Sequence, residues 1–441
     1  MGLAQMEWYS YLLLFFSGLM ILFMTGLPIA FGFLLINLVG IFFFMGGVSG
    51  LFTVVLYVYD SLANFTLIPV PCFILMGEIL FNSGVSSLTI DSLDEWLGRI
   101  PGRLGLLAVF SGVLFAVLSG SAIASTATLG ALLLPEMTRR GYNKKMSLGP
   151  ILASGQLAVI IPPSVLAVLL GSLADISIAK LLISGILPGL VIASFFGSYI
   201  VLRSWISPYL APPYYKPSAS LPEKVRSFMK NVFPLSLIIF LVLGVIFLGI
   251  ATPSEASALG VLGAFILSLS YRRFNMEMLK KSVMGTAKTT TSIFLILSGS
   301  LAYSQILAFT GASRGLIKFT LGLPAHPILI VIGMLIVIVI LGCFIDQISM
   351  IMISAPLYLP VVRALGFDPL WFGMILLITI ELGVKTPPFG ILLFVVKGVA
   401  PPDTTMEEIY RAAFPFIILE MMAISLLILF PQIVLFLPKL M

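Results

Sequence analysis

Charged residues are scarce in this sequence, and their scarcity says the most about its class. They make up 10% of the 441 residues, while hydrophobic residues make up 60% and the mean hydropathy is +1.16. A soluble domain carries roughly 25% charged residues. The composition therefore excludes a soluble globular protein and predicts a polytopic membrane protein. The net charge of +6 does not indicate nucleic-acid binding, because the basic residues lie in short loops between apolar segments, where they set membrane orientation.

Histidine and cysteine are almost missing as well. His326 is the only histidine, and Cys72 and Cys343 are the only cysteines. Two cysteines in apolar surroundings support neither a disulfide framework nor a transition-metal site. An intramembrane hydrolase would need a nucleophile beside a base, and no Ser–His or paired Asp arrangement is evident. The sequence therefore predicts a protein that is not an enzyme and carries no cofactor, and His326 is interpreted as a loop residue.

Two long apolar segments are interrupted by adjacent prolines. Residues 146–173 contain Pro162-Pro163, and residues 370–396 contain Pro387-Pro388. Each pair removes two backbone donors and pushes the preceding residue away from helical angles. Carbonyls freed at membrane depth are tolerated only against protein or a wet cavity. Both segments are therefore predicted to be broken transmembrane helices with a binding site at the break, rather than merely kinked structural helices.

The two breaks belong to a repeat. An offset of 225 positions separates Pro162 from Pro387, and the same offset relates Pro28 to Pro253, Pro135 to Pro360, and Gly141 to Gly366. We expect a first repeat at 1–203, a cytoplasmic linker at 204–230 and a second repeat at 231–441. Each repeat is expected to cross the membrane five times and to add one hairpin. Because five is odd, the second repeat should be inverted relative to the first.

The hairpins are predicted at 104–138 and 327–362. In the first, each arm of about 15 residues would reach roughly 22 Å, too short for comfortable crossing of about 30 Å. Basic residues flank both of its ends, which places both ends in the cytoplasm. In this topology most of the 24 basic residues of the chain lie on the cytoplasmic side. Its Ser/Gly-rich centre could instead be a close helix-packing face. Residues 85–98 predict either an interfacial amphipathic helix or an ordinary surface linker, with 311–322 as its partner.

An ordered set of motifs resembles the large membrane subunit, the M subunit, of tripartite ATP-independent periplasmic (TRAP) transporters. The motifs are Pro71–Glu78, Leu118–Ser121, Leu134–Met137, Arg140–Tyr142, Ile161–Ser164, Gly185–Gly189, Phe344–Asp346, Ala364–Pro369, Glu381–Gly383 and Thr386–Gly390. The resemblance implies an all-α polytopic fold of the ion-transporter superfamily, with inverted repeats, two re-entrant hairpins, two broken helices and an elevator motion.

The resemblance also implies a function and partners. It implies sodium-driven import of a small organic acid across the bacterial inner membrane. A periplasmic binding protein would deliver the substrate, and a small four-helix membrane subunit would complete the complex in the lipid bilayer. One alternative is a sodium/dicarboxylate symporter that works alone, and another is a purely structural scaffold subunit.

The resemblance places a sodium site at each hairpin tip, beside the matching break. Sodium takes oxygen ligands, which unwound carbonyls supply, while the N-termini of half-helices attract carboxylates. The expected sodium ligands are Ser119, Gly120, Ser121, Ile160, Ile161 and Pro162 at the first site and Gly342, Asp346, Gly383 and Thr386 at the second. The expected substrate-binding residues are Ser121, Ala122, Pro163, Ser164, Lys385, Pro388 and Phe389.

Lys385 and Gln347 depart from the family's pattern. An apolar residue is expected at position 385, and a smaller residue is expected at position 347. An ammonium at membrane depth costs about 2.5–3.5 kcal/mol unless it is paired or wetted. We expect Lys385 to border the second sodium site, where it would pair with Asp346 or attract the substrate anion; the alternative is that it reaches the membrane surface. Glu78 and Glu381 lie in or near apolar segments and are further functional candidates.

Overall fold

The computed structural model describes residues 7–98, 100–119, 121–212 and 220–441. All regular secondary structure in these residues is helical. Six of their helices are long and apolar enough to cross a membrane, or up to eight if each of two bent pairs counts as one span. The predicted all-α polytopic membrane fold is therefore confirmed.

The first half begins with four helices followed by a shorter fifth one. Gly84, with a φ of 70°, lies between the fourth helix and the fifth, which covers most of the segment 85–98. The hairpin and the broken helix follow at the predicted places. The helices are α1 (Trp8–Met24), α2 (Ile29–Phe44), α3 (Val48–Leu62), α4 (Pro69–Asn82), α5 (Val85–Leu97), α6 (Arg103–Ser119), α7 (Ala122–Arg139), α8 (Lys144–Ile160), α9 (Val165–Ala174), α10 (Ile178–Ser184) and α11 (Ile186–Ile206).

The second half follows the same plan. The helices are α12 (Leu221–Asn231), α13 (Phe233–Phe247), α14 (Pro253–Ser270), α15 (Met276–Phe309), α16 (Ala312–Leu321), α17 (Pro327–Gly342), α18 (Gln347–Ala364), α19 (Pro369–Gly383), α20 (Ile391–Val399), α21 (Met406–Leu429) and α22 (Gln432–Lys439). The first and last residues of α18 each lie 225 positions after those of α7, so the sequence offset also relates the hairpins.

Helix α15 is one place where the two halves differ. Its 34 residues correspond, at the offset of 225, to α3 and α4 together. In the first half Asn64 caps a short 3-10 turn and Pro69 starts a new helix, so the chain divides there. The basic residues at 272–281 favour a loop there, but Asn275 accepts a hydrogen bond from the Met278 amide at 2.7 Å and α15 begins at Met276. Residues 51–62 are helical as well, within α3.

The predicted linker 204–230 is only partly a loop. Ser220 and Glu223 form a capping box that starts α12, and hydrogen bonds from Ser220 hold the pKa of the Glu223 carboxyl below its usual value. Helix α12 packs on α5: the Trp96 and Phe228 rings lie 5.8 Å apart, and the Thr89 hydroxyl lies 2.9 Å from the Asn231 carbonyl oxygen. The linker is thereby attached to α5, the helix that precedes the first hairpin.

Helices α8 and α19 form the centre of the molecule. Nearly every residue of both is buried, as expected for helices that are apolar all round. Helix α8 packs against α6, α7 and α21. A Cβ on Gly149 would lie 2.7 Å from the Ala412 carbonyl oxygen, so α8 and α21 approach closely. At the start of α8, Lys144 donates to Asp403 at 2.8 Å, which lowers the pKa of the Asp403 carboxyl.

Candidate ion and substrate site

The first break comprises residues 161–164, between α8 and α9. The two helices are bent by 46° relative to each other. Ile161 is extended, with φ −80° and ψ 126°, so the helical hydrogen-bond pattern stops there. Ser164 is buried and caps α9, since its hydroxyl oxygen accepts from the Ala167 amide at 3.2 Å. The prolines therefore break the helix where the sequence predicted.

The Ile160 carbonyl at this break is covered by protein. A Cβ on Gly185 would overlap the Ile160 carbonyl oxygen, and one on Gly189 would overlap the Ile161 side chain. The residues at the start of α11 therefore close one side of the first break. This agrees with the rule that carbonyls freed at membrane depth face protein or a wet cavity.

The first hairpin tip comprises residues 120 and 121, between α6 and α7. Gly120 and the Ser119 side chain lie outside the described part of the chain. Ser121 is extended and caps α7, where its hydroxyl accepts from the Ala124 amide at 3.4 Å. Ala122 is fully buried, and a Cβ on Gly155 of α8 would lie 2.9 Å from its carbonyl oxygen. The first tip therefore packs against α8, shortly before the first break.

The second hairpin tip comprises residues 343–346, between α17 and α18, and the second break comprises residues 384–390. They touch: a Cβ on Gly342 would lie 2.5 Å from the Gly383 Cα atom, and the Cys343 thiol lies 3.4 Å from the Pro387 carbonyl oxygen. Asp346 caps α18, accepting from the Ile348 amide at 3.1 Å and from the Ser349 hydroxyl. The second tip and the second break therefore lie directly against each other.

The remaining candidates at the second break have protein partners. The Thr386 hydroxyl donates to the Leu382 carbonyl at 2.7 Å, and the Tyr410 hydroxyl donates to the Pro388 carbonyl at 2.7 Å. Phe389 is 56% exposed, and its ring centroid lies 5.7 Å from that of Phe344. Phe389 therefore lies at the surface of the described chain, next to the second tip.

A cavity of about 330 Å³ is lined by residues of both hairpin tips. Ser121 of the first tip and Asp346 of the second both line it, and among the described residues they are the only expected sodium or substrate ligands that do. The polar lining also includes Glu78 and Asn82 of α4, Thr289 of α15 and Gln347 of α18. No basic side chain is among the described residues that line the cavity.

Lys385 does not line this cavity. It is fully buried, and its ammonium forms an ion pair with Glu420 of α21 and donates to the Gln156 side chain of α8. The Phe196 ring centroid lies 5.5 Å from the ammonium nitrogen. The prediction that Lys385 pairs with Asp346 is wrong, and so is the alternative that it reaches the surface. Its role in substrate binding stays a prediction, without a contact that supports it.

Sequence reasoning missed Glu420 and Gln156. Both are fully buried, and both approach Lys385 from helices far from it in the chain. Glu420 could have been found, because an acidic residue inside the apolar segment 406–429 is itself unusual. Glu381, a predicted functional candidate, is fully buried and accepts a hydrogen bond from the Gln347 side chain at 3.0 Å. The side chain of Gln347, which departs from the family's pattern, therefore has a hydrogen-bond partner inside the protein.

Comparison with known proteins agrees with this architecture. The family described as "Tripartite ATP-independent periplasmic transporter, DctM component" matches residues 16–433. The C4-dicarboxylate TRAP transporter large permease protein DctM of Pseudomonas aeruginosa is 30% identical over 407 residues, which are 89% of this chain and 93% of that protein. The isethionate TRAP transporter permease protein DctMQ of Oleidesulfovibrio alaskensis is 31% identical over 418 residues, which are 91% of this chain and 64% of that protein.

One solved structure shares the fold. The Alcanivorax borkumensis YdaH transporter matches 87% of this chain and 89% of its own with a TM-score of 0.61, at 14% sequence identity. At that identity the likeness concerns the fold alone. The family match, in contrast, covers almost the whole chain. The chain therefore belongs to the DctM family of large permease subunits of TRAP transporters, which are transport proteins of the bacterial inner membrane and not enzymes.

Proposed function

We propose that this permease subunit imports a small organic acid, driven by a sodium gradient. The charge of the cavity carries the proposal. Two carboxyl groups, those of Glu78 and Asp346, line it, and no basic side chain does among the described residues. An organic anion entering such a space would meet like charge and lose hydration. Cations bound at the tips would supply the missing positive charge, so anion binding would require sodium.

The oxygen atoms at the tips and breaks support two sodium sites. We assign Ser119, Gly120, Ser121, Ile160, Ile161 and Pro162 to the first and Gly342, Asp346, Gly383 and Thr386 to the second. Asp346 is the one carboxylate in these sets, and the backbones of Gly342 and Gly383 are in direct contact. Unwound carbonyls beside half-helices are the usual sodium ligands in transporters of this kind.

For the substrate we propose the two tips together with the half-helix N-termini that follow the breaks. Ser121, Ala122, Pro163 and Ser164 belong to the first set, and Pro388 and Phe389 to the second. The N-terminus of α9 carries the partial positive charge that favours a carboxylate. Val165 and Leu166, the first residues of α9, line the cavity, which brings this N-terminus to the edge of the substrate space.

The transport step we propose is an elevator motion with two partner proteins. Helices α14 and α15 both pack on α4, while α6–α9 and α17–α21 pack around the two breaks. The cavity lies between these groups, so sliding of one against the other would carry its contents across. A small membrane subunit fits the relative named DctMQ, about a third of whose length lies outside the matched region. A periplasmic binding protein would deliver the substrate.

Uptake into vesicles tests the proposal. The large subunit is reconstituted with and without its small subunit and binding protein, and uptake of labelled succinate and isethionate is measured with an inward sodium or potassium gradient. We expect uptake only with sodium and only with all three proteins present. Equal uptake under potassium would refute sodium coupling. Sodium-driven uptake by the isolated chain would instead favour a symporter that works alone.

A further inference from the structure

The buried ion pair of Lys385 and Glu420 lies outside the cavity, yet it joins the two breaks. We propose that the contact between Lys385 and Gln156 couples the two sodium sites, so that an ion bound at one site raises the affinity of the other. The inference rests on the proposed function, because it presupposes two sodium sites. In this reading Lys385 and Gln156 are positioning residues, and neither contacts an ion or the substrate.

Gln156 connects this contact to the first site. It lies on α8 four residues before Ile160, about one helical turn, so the intervening backbone is a continuous hydrogen-bonded helix. Its neighbour Gly155 packs against the first hairpin, where a Cβ would lie 2.9 Å from the Ala122 carbonyl oxygen. A shift of α8 at Gln156 would therefore displace both the first tip and the carbonyls of the first break.

Lys385 connects the contact to the second site. It lies in the second break, directly before Thr386, a proposed sodium ligand. Glu420 holds the ammonium from α21, and both side chains are fully buried. Separating such a pair leaves an uncompensated charge in a low dielectric, which is strongly unfavourable. Residue 385 therefore cannot move far without carrying α21 and α8 with it.

The internal repeat shows where the contact between Lys385 and Gln156 lies relative to the two breaks. Gln156 and Glu381 are 225 positions apart, so they occupy equivalent turns of the two broken helices. Lys385 follows Glu381 by four residues and reaches across to Gln156. The ammonium thus links the second break to the helical turn that precedes the first break, and helices α8 and α19 are themselves in contact. Ion-induced ordering of either break would be felt at the other, and thermodynamic linkage makes that effect reciprocal.

Equilibrium binding of radioactive sodium to the purified complex tests the coupling without requiring a known substrate. The variant is Gln156→Leu, which removes the contact to α8 but keeps the Lys385–Glu420 pair. We expect the wild-type protein to bind sodium with a Hill coefficient clearly above 1, and the variant to bind with a coefficient near 1. The apparent affinity for the second ion should fall by about fivefold or more, the usual lower range of such couplings.

Two further variants provide the control and a second route. Ser154→Ala alters a buried α8 residue whose hydroxyl bonds only within its own helix, to Ile151 at 2.8 Å, and should keep the wild-type coefficient. The double variant K385I/E420L removes both charges together, which avoids an unpaired buried charge, and should lose cooperativity as Gln156→Leu does. Wild-type cooperativity in Gln156→Leu or in the double variant would overturn the coupling alone. Non-cooperative binding by the wild-type protein would overturn it as well, whereas no sodium binding at all would overturn the proposed function too.

Discussion

The contact between Gly342 and Gly383 makes the strongest structural prediction. A Cβ on Gly342 would lie 2.5 Å from the Gly383 Cα atom and 2.7 Å from its carbonyl carbon. Two carbon atoms pack best at about 3.5–4.0 Å, so Gly342→Ala must push the second tip away from the second break by about 1 Å. Both partners are backbone atoms, so rotation of a side chain cannot relieve the overlap. Overpacking of this kind typically costs about 1–3 kcal/mol.

Gly333→Ala is the matched control. Gly333 lies on the same helix, α17, but nothing lies within 4 Å of a Cβ placed there. In an exposed helical position, alanine is favoured over glycine by about 1 kcal/mol. Gly333→Ala should therefore leave uptake and thermal stability unchanged or slightly raise the stability. The two variants add the same methyl group to one helix. They differ only in whether backbone atoms of another segment lie against that methyl group.

Two measurements separate the variants. Thermal unfolding of the purified protein should show a lowered midpoint for Gly342→Ala alone. Sodium titration of uptake should show a higher half-maximal sodium concentration for the same variant, because Gly342 and Gly383, two proposed ligands of the second sodium site, would be pushed apart. If Gly342→Ala transported and melted like the wild-type protein, the second tip would not pack against the second break as described, and the second sodium site would lose its geometric basis.

Two further substitutions test neighbouring features. Ser121→Ala removes the cap of α7 and a proposed sodium ligand, so we expect about 1 kcal/mol of destabilisation and a higher half-maximal sodium concentration for uptake; unchanged sodium dependence at equal expression would remove Ser121 from the first site. Glu420→Leu leaves the Lys385 ammonium buried without its carboxylate, which costs about 3–5 kcal/mol when one partner of a buried pair is removed. We expect poor expression and loss of uptake for this single variant, measured against K385I/E420L, and wild-type levels of both would show that the pair does not form.

The local features of the fold could be predicted from the sequence, because their causes are local. Adjacent prolines stop a helix wherever they occur, so the breaks at 161–164 and 384–390 were predictable without a structure. The offset of 225 placed the second hairpin from the first. The start of α15 was not predictable from charge alone: Lys280 and Lys281 indicated a loop, but both lie on the exposed side of a helix that continues past them.

Contacts between distant segments could not be predicted in this way. Glu420 lies 35 positions after Lys385, and no periodicity in one sequence says which helix faces another. Asp346 was the nearest acid by topology, but it already accepts hydrogen bonds from the first turn of its own helix. Its carboxyl is thereby fixed at the second tip. The cost of a buried ammonium predicted that Lys385 needs a partner, and only the packing of α21 against α8 and α19 supplies that partner.

The placement of the two cavity carboxyl groups has a consequence for the order of events in transport. Glu78 is fixed on the α4–α15 side: Asn82 donates to its carboxylate at 2.9 Å, and a Cβ on Gly285 would lie 2.9 Å from its carboxyl carbon, so α15 leaves room for Glu78 only because position 285 is glycine. Asp346 lies on the opposite, hairpin side of the same cavity. In the proposed elevator motion, Glu78 would stay with α4, α14 and α15, while Asp346 would move with the hairpins. A cation bound by Asp346 would travel with the hairpin and with the substrate, whereas a cation held by Glu78 would not. The sodium ion that drives transport should therefore bind at the second tip before the hairpin moves, and Glu78 should act on the entering substrate without being a ligand of the transported ion.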